Sequence, residues 1–459
     1  MKDLTKGNIY KTFLLFALPL ILSGFLSQAY SIIDTMIAGR VLSSDGLASI
    51  GSTSAFIQFF SSIFWGYGVG FSIYTARLFG AKEYEKLKTA VYVNYSIVIG
   101  VIFLLSVIIV LLQNPIFDIL SIDPSIRHDS SVYFSIYMLG SAFILMNNNG
   151  VFIMNSFGSS SYPLFMSILS TVLHIGGNLF AVQVLHLGVG GIAASTVISA
   201  AAVDVCYFIR LRKCFNEMGV GKYKIKFDLS CLNHSFRYSL PVTAQQMLMY
   251  FASVIISPMV NGIGSAASAA YVICLKVYDV NATVYQNSSK TLSNYIAQSI
   301  GAGKYKNIKR GLHVGFLQGL VFALPVLVVS VLCARGFCSV FLPSGYEGAG
   351  LEMAVVFARF YLPFCVFNLV NNLFHSFYRG VATMWLLVTA TLIGSVSRII
   401  ATYFAVKFYG MDGVYLGWVI SWIAECIFSI VIYFIGSWKT KEIKEGLKTI
   451  PQKITKVPV

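Results

Sequence analysis

Twelve runs of mostly apolar residues, separated by short polar loops, dominate the chain. A helix needs about 20 apolar residues to cross the hydrocarbon core of a bilayer, and every run reaches that length. The runs lack the alternation of apolar and polar positions that is typical of membrane β-barrels. The sequence therefore predicts an all-α polytopic membrane protein with twelve transmembrane helices. The runs lie at 13–39, 47–79, 90–112, 131–155, 163–184, 188–211, 236–260, 268–299, 311–334, 353–378, 384–408 and 413–436.

The composition agrees with this prediction and excludes several classes of protein. Of the 459 residues, 57% are hydrophobic and only 11% are charged, whereas a soluble domain carries about 25% charged residues. A water-soluble globule of this size could not cover its surface with so few charges. A soluble enzyme and a disordered chain are therefore excluded.

The net charge of +15 is explained by where the basic residues lie. When basic residues near the ends of runs are counted with the adjoining side, 24 of the 33 lysines and arginines lie at the chain ends or in alternate loops on one side, 5 lie on the other side, and 4 (Arg77, Lys276, Lys290 and Arg398) are counted within the runs. An excess of Lys and Arg marks the cytoplasmic side of a membrane protein. We therefore expect a multi-pass protein of the cell membrane, with both termini in the cytoplasm and no nucleic-acid partner.

The chain repeats itself at an offset of 221–222 residues. The polar loop 80–88 resembles 301–309, and residues 191–199 resemble 413–421. Each copy holds six runs, so both copies have the same orientation, and their pseudo-two-fold axis should lie along the membrane normal. We predict an N-terminal six-helix bundle at 1–208, a basic cytoplasmic linker at 209–235, a C-terminal six-helix bundle at 236–436 and a basic cytoplasmic tail at 437–459.

Several of these residues resemble those of the multidrug and toxic compound extrusion (MATE) family, bacterial type. Leu18-Pro19, Asp34-Thr35 and Gly39-Arg40 are similar to the family pattern in the first run, and the loops at 79–82 and 300–303 are similar to its loops. The resemblance covers essentially the whole chain. It implies a secondary active antiporter that uses alternating access to export organic, mainly cationic and amphipathic compounds in exchange for H⁺ or Na⁺. We expect a monomer in the lipid bilayer that needs no cofactor.

Ionisable residues within the hydrocarbon are costly and usually face a cavity or a partner, so the few present are site candidates. Asp34 lies late in the first run, where the family has an aspartate, and could hold H⁺ or Na⁺. It is the one position where we expect a metal ion, as Na⁺. The alternative is a helix-end aspartate that pairs with Arg40.

His174 and Asn178 in the fifth run stand where many relatives have an asparagine and an aspartate. Their i, i+4 spacing places both on one face of a helix. The second carboxylate of the usual ion site is therefore missing, which weakens a Na⁺ site. His174 titrates near neutral pH and is a candidate for proton relay. The alternative is a structural, hydrogen-bonded histidine.

Polar residues in the other runs are candidates for lining a substrate cavity. Asp204 and Glu425 are equivalent to within one position of the repeat, and Arg398 stands where many relatives have an arginine. Packing between helices is the alternative role for each of them. The remaining candidates are Gln245, Gln246, Lys276, Asp279 and Asn371.

A flippase and an enzyme are the alternatives to an antiporter. A flippase for lipids or lipid-linked oligosaccharides belongs to the same wider superfamily, and basic residues clustered around a cavity would favour it, because its substrate is a phosphate ester. Lys276, Lys290 and Arg398 are the residues to examine. An enzyme is not expected, because the chain has none of the metalloprotease, serine-hydrolase or His/Asp catalytic patterns.

Overall fold

The computed structural model describes residues 1–41, 44–225, 227–341 and 348–448, without the side chains of residues 29–44 and 47. Within these ranges every regular element is helical and no strand occurs, which confirms the all-α class. The helices are α1 (Ile9–Val41), α2 (Ser44–Gly80), α3 (Tyr84–Leu111), α4 (Gln113–Ile119), α5 (Arg127–Ser156), α6 (Ser161–Leu179), α7 (Gly188–Glu217), α8 (Leu229–Asn261), α9 (Ser265–Gly301), α10 (Asn307–Leu332), α11 (Ala334–Ser339), α12 (Ala349–Val356), α13 (Cys365–Gly380), α14 (Met384–Tyr409), α15 (Met411–Ile435) and α16 (Lys441–Lys448).

Two of the long helices contain irregular turns. A π-helical turn at Phe180–Val184 extends α6. Between α12 and α13, a π-helical turn at Phe357–Tyr361 is followed by a 3₁₀ turn at Leu362–Phe364. Pro363 lies in this 3₁₀ turn, and its missing N–H removes a hydrogen bond that a regular helix would need. α12 and α13 together correspond to a single predicted span.

Eleven stretches of the described chain are long and apolar enough to cross a membrane. The one remaining predicted span, at 268–299, corresponds to α9, which has 37 residues but is more polar than the other spans. Lys276, Asp279 and Lys290 all lie in it. α9 packs against α10, α12 and α13, and most of its C-terminal half is buried. Its neighbours thus shield its polar groups from lipid.

The chain divides into two compact units. Unit 1 comprises residues 1–2, 16–75 and 83–247, and unit 2 comprises residues 3–15, 76–82 and 248–459. In unit 1, α7 packs against α5 and α6, and α3 packs against α5. In unit 2, α9 packs against α10, α12 and α13, and α15 packs against α13 and α14.

Glycines allow the closest of these helix contacts. In unit 1, a Cβ on Gly150 of α5 would lie 2.7 Å from the ring of Tyr207 on α7. In unit 2, a Cβ on Gly417 of α15 would collide with the side chain of Thr402 on α14. Small residues at such points let helix backbones approach closely within a membrane.

The linker between the repeats is shorter than the sequence predicted. α7 continues to Glu217 and α8 begins at Leu229, so only residues 218–228 connect them. Lys88 of α3 is buried, and its ammonium group donates hydrogen bonds to three linker carbonyls. These are the carbonyls of Val220 (3.0 Å), Gly221 (2.9 Å) and Tyr223 (2.8 Å). A single lysine therefore ties the linker to unit 1.

Asp228 begins α8 as a helix cap. Its carboxylate accepts hydrogen bonds from the Sγ of Cys231 at 3.3 Å and from the backbone N–H of Ser230 at 2.8 Å. These two bonds lower the pKa of Asp228, because they stabilise its charged form. Such a side-chain cap fixes where the helix starts.

The repeated polar loops contact each other reciprocally within unit 2. A Cβ on Gly80 would collide with the backbone carbonyl of Gln298, and a Cβ on Gly301 would collide with that of Arg77. Arg77 and Gln298 are repeat equivalents, as are Gly80 and Gly301, because each pair is separated by 221 residues. The equivalent glycines and carbonyls of the two copies therefore contact each other symmetrically.

The last helix, α16, packs onto these loops in unit 2. Glu442 forms an ion pair with Arg77 at 3.3 Å, and Gly446 lies against the ring of Tyr305. Ile443 of α16 and Trp438 just before it are both buried. The predicted basic tail is therefore ordered through Lys448, as far as the described residues extend.

Candidate functional site

Asp34 lies outside the described side chains. Its backbone belongs to α1, which begins at Ile9 and ends at Val41, so the residue lies near the C-terminal end of that helix.

His174 and Asn178 lie together in a buried hydrogen-bond network between α6 and α7. His174 is 1% exposed and Asn178 is 0% exposed. His174 Nε2 lies 2.8 Å from Thr196 Oγ1, and Asn178 Nδ2 lies 3.4 Å from His174 Nδ1. Ser195 Oγ donates to Asn178 Oδ1 at 2.7 Å. The i, i+4 spacing therefore correctly predicted that His174 and Asn178 are neighbours. α7 supplies two further partners, Ser195 and Thr196, which the sequence did not indicate.

The donors and acceptors of this network fit one protonation state of the imidazole. Thr196 Oγ1 donates its only proton to the carbonyl of Ile192 at 3.0 Å, so His174 Nε2 must be the donor to Thr196. His174 Nδ1 is then free to accept from the Asn178 amide. A neutral imidazole with its proton on Nε2 satisfies both contacts.

Glu425 and Asn371 meet in unit 2, together with a histidine that sequence reasoning did not select. Glu425 Oε1 lies 2.8 Å from His375 Nε2. Asn371 Nδ2 donates to Glu425 Oε2 at 3.3 Å and to the carbonyl of Trp422 at 2.9 Å. His375 is 7% exposed and Glu425 is 9% exposed. His375 lies one helical turn after Asn371, and this spacing is the feature of the sequence that could have identified His375 as a neighbour of Asn371.

Asp204, the repeat equivalent of Glu425, lies in unit 1 in a different environment. It is also 9% exposed, but its Oδ2 has no hydrogen-bond partner in the described part of the chain. The hydroxyl groups of Tyr95 and Tyr207 lie within electrostatic range of its carboxylate. The two repeats thus keep a buried acid within one position of each other but surround it differently.

The two glutamines of α8 also belong to unit 1. Gln245 is buried and Gln246 is half-buried. Gln246 lies beside Gly66 of α2, where a Cβ would be 3.1 Å from the Gln246 Cγ. Thr243, on the same part of α8, donates to the carbonyl of Ile63 at 3.3 Å. This part of α8 therefore packs closely on α2.

Arg398 lies in an aromatic cluster of unit 2. Its Nη2 donates to Tyr271 Oη at 3.2 Å, and its guanidinium carbon lies 4.8 Å from the ring centre of Trp418. Tyr278 stacks on Trp422 with ring centres 5.8 Å apart. Arginine over tryptophan is a cation–π contact that strengthens where water is excluded. The sequence indicated the arginine but not the aromatic residues around it.

Lys276 and Asp279 lie within electrostatic range of each other on α9. The salt bridges of the described residues, each with N···O at or below 4.0 Å, do not include this pair. Asp279 is half-buried, and Tyr250 of α8 also lies within its electrostatic range. Asp279 is therefore a carboxylate near, but not bonded to, a cation.

The described residues contain no group of three or more His, Cys, Asp or Glu side chains that could hold a metal ion. Buried polar groups in the spans occur instead as separate clusters within each unit. A bundle of membrane-spanning helices with such groups in its interior is typical of a transporter rather than of a structural membrane anchor.

Comparison with known proteins identifies which transporter family this is. One family model, MatE, matches the chain twice, at residues 19–180 and 241–404. The two matches begin 222 residues apart, which confirms the internal repeat. They cover more than half of the chain, so the chain belongs to the MatE family, whose members are membrane transporters and not enzymes.

Individual relatives and solved structures agree with this family. The chain is 26% identical over 349 residues to the probable multidrug resistance protein YoeA of Bacillus subtilis, with 74% of each chain covered. It is 23% identical over 334 residues to the multidrug export protein MepA of Staphylococcus aureus, covering 71% of this chain and 72% of MepA. A crystal structure of MATE in complex with MaL6 matches the fold with a TM-score of 0.85 and 18% identity, covering 97% of this chain and 99% of the other.

Proposed function

We propose that this MATE family efflux transporter exports amphipathic organic cations in exchange for H⁺. It would act as a monomer in the cell membrane, with both termini in the cytoplasm and alternating access to the two sides. The names of YoeA and MepA support export of drug-like compounds. The observation that carries the choice of H⁺ is that position 178 supplies an amide, and not a carboxylate, to the network with His174 and Ser195.

The coupling residues of this proposal are Asp34, His174 and Asn178. Asp34 supplies a carboxylate late in α1, and its protonation would be the coupled event. His174 and Asn178 are hydrogen-bonded to each other and to α7, and position 178 supplies an amide, whereas Na⁺ requires several oxygen ligands. Na⁺ is the alternative coupling ion, and the experiment below includes it.

For the substrate, we propose that Asp279 provides the negative charge that attracts an organic cation. It is half-buried, lies near Tyr250, and forms no ion pair within the described residues. Asn371 and Glu425 already bind each other and hold α13 against α15, so we assign them a packing role. Gln246 packs against Gly66 of α2.

The basic residues do not favour the flippase alternative. Lys290 donates to Asn287 at 2.8 Å, Arg398 binds Tyr271 and Trp418, and Lys276 is close to Asp279. The three cations therefore have different partners and do not form a phosphate-binding cluster within unit 2.

The test is ethidium export by the full chain in reconstituted vesicles, driven first by a pH gradient and then by a Na⁺ gradient. We expect export with the pH gradient alone, and loss of export in Asp34→Asn but not in the loop variant Asp123→Asn. Export driven only by the Na⁺ gradient would overturn the choice of H⁺. Unchanged export by Asp34→Asn would overturn the role of Asp34.

A second variant tests the substrate assignment. Asp279→Asn should raise the ethidium concentration needed for half-maximal export, because a carboxylate that attracts the cation is lost. Export of an uncharged dye should not change. An equal loss for both dyes would show that Asp279 has a structural role.

A further inference from the structure

Asp204 is the buried acidic group that the proposed coupling and substrate residues leave without a task. It lies in the middle of α7, is 9% exposed, and has an Oδ2 that finds no hydrogen-bond donor among the described residues. A buried polar atom without a partner costs about 1–3 kcal/mol, and more when it is charged. Such a group persists at a cost to stability, which points to a function.

The groups around Asp204 are hydroxyls rather than cations. Tyr95 approaches from α3, and Tyr207 lies one turn further along α7. Tyr207 Oη is also buried without a partner in the described part of the chain. Arg210 is directed elsewhere, since it pairs with Glu217 at 3.6 Å and lies over the ring of Tyr162 at 5.7 Å.

A small cavity of about 10 Å³, room for about one water molecule, adjoins Tyr95. It lies between α2, α3 and α5, and its polar lining consists of Asn94, Tyr95 and Asn149. Asn94 Nδ2 and Tyr67 Oη are both buried, and the amide lies beside the hydroxyl. Tyr95 thus lines the cavity on one side and reaches towards Asp204 on the other. Polar groups that lack partners are the usual binding partners of a buried water.

The site is separate from the His174 network. Thr196, the partner of His174, precedes Asp204 by eight residues on α7, which is about 12 Å along a helix. Asn149 lies seven residues before the end of α5 at Ser156, on the side of the protein that carries the basic loops. His174 lies towards the other end of the spans.

We propose that Asp204, Tyr95 and Tyr207, with the adjoining cavity at Asn94 and Asn149, form a second proton-binding site, in the half of unit 1 near the basic loops. In the described conformation the proton resides on the Asp204 carboxyl, which can then donate a hydrogen bond. When this region hydrates, the carboxyl ionises and releases the proton to water through the cavity, and it regains one in the reverse step. A Na⁺ ion is disfavoured because the surrounding groups offer few oxygen ligands.

This inference rests on the proposed proton coupling, but one measurement tests it independently. Infrared difference spectra of the purified full chain, recorded across a pH titration, should contain the C=O band of a buried protonated carboxyl. The band should be absent in Asp204→Asn and present in the control Asp123→Asn. Persistence of the band in Asp204→Asn would overturn the assignment even if export proves not to be proton-driven.

Vesicle transport supplies the second measurement. Asp204→Asn should reduce the number of protons taken up per exported ethidium by about one, because one titrating carboxyl has been removed. The pH dependence of export should become shallower. An unchanged proton count and an unchanged pH profile would overturn the proposal, whereas a wild-type protein without any pH-driven export would overturn the proposed function instead.

Tyr95→Phe keeps the inference testable if Asp204→Asn does not fold. Loss of the Tyr95 hydroxyl removes a polar group from the surroundings of the carboxyl, so the infrared band should move to higher frequency. A band that remains at the wild-type frequency would show that Tyr95 does not contact the protonated group and would overturn the site as described.

Discussion

Asp204 and Glu425 are equivalent to within one position of the repeat, yet the described residues surround them differently. Glu425 contacts His375 at 2.8 Å and Asn371 at 3.3 Å. Asp204 has two tyrosine hydroxyls within electrostatic range and no hydrogen bond to its Oδ2 within the described residues. After duplication, the two acids acquired different neighbours and, we infer, different tasks.

The physical cost of burial explains why this difference matters. A buried acid with good partners resists removal, because its loss leaves those partners unpaired. A buried acid without partners can be replaced by an apolar residue at little cost, so stability alone gives no reason to keep it. The comparison therefore separates a residue that holds helices together from one that is free to exchange a proton.

The largest effect should come from Glu425→Leu. It leaves His375 and the Asn371 amide without their shared acceptor, so we expect a loss of about 3–5 kcal/mol of unfolding free energy. Thermal unfolding in detergent measures this. The double variant His375→Leu with Glu425→Leu should lose less than the sum of the two single variants, since the pair is removed together. Additive losses would mean that the two side chains are not coupled.

A similar contrast exists between Lys88 and its repeat equivalent Lys309. Lys88→Met removes the ammonium group that donates to three linker carbonyls, of which only that of Val220 keeps another donor among the described residues, the Tyr223 N–H, and should cost about 1–3 kcal/mol. Lys309 is exposed, so Lys309→Met should change stability by less than about 0.5 kcal/mol. Thermal unfolding of both variants, in parallel, checks the difference. Equal shifts would contradict the role of Lys88 in anchoring the linker.

Gly394→Val introduces into unit 2 the residue that unit 1 carries at the equivalent position, Val172. A Cβ on Gly394 would lie 3.1 Å from Glu425 Oε2, so the larger side chain should displace the carboxylate. Overpacking of this kind typically costs about 1–3 kcal/mol. Val172 is exposed, so Val172→Ala is the matched control and should have little effect on the unfolding temperature.

The smallest effect on stability should come from Asp204→Leu. No described side chain loses a hydrogen bond to Oδ2, so we expect the unfolding free energy to stay within about 1 kcal/mol of the wild type or to rise. Transport should nevertheless be impaired. A loss as large as that of Glu425→Leu would show that Asp204 has a structural partner, and the comparison between the two acids would fail.

The fold could be predicted from the sequence because hydrophobic length and charge placement are local properties. Even α9 was recognised as a span, although its polar residues keep it below the apolarity of the other helices. Its burial by three neighbouring helices, which makes that polarity tolerable, is a tertiary property that a linear pattern does not contain.

The candidate sites were predictable only where the partners lie on one helix. His174 and Asn178 are four residues apart, so helical spacing placed them together. The contact between Asn371 and Glu425 joins α13 and α15 and depends on how those helices pack. The sequence places the two acids within one position of each other in the repeat, and it does not contain the surroundings that distinguish them.

The packing of α16 has a practical consequence for fusion proteins. Trp438 and Ile443 are buried, and Glu442 pairs with Arg77 at 3.3 Å. A fluorescent reporter joined after Ile435 would replace these contacts with a foreign sequence, whereas a reporter joined after Lys448 would preserve them. Expression screens that use the later junction should therefore report on the folded transporter, and those that use the earlier one should underestimate its yield.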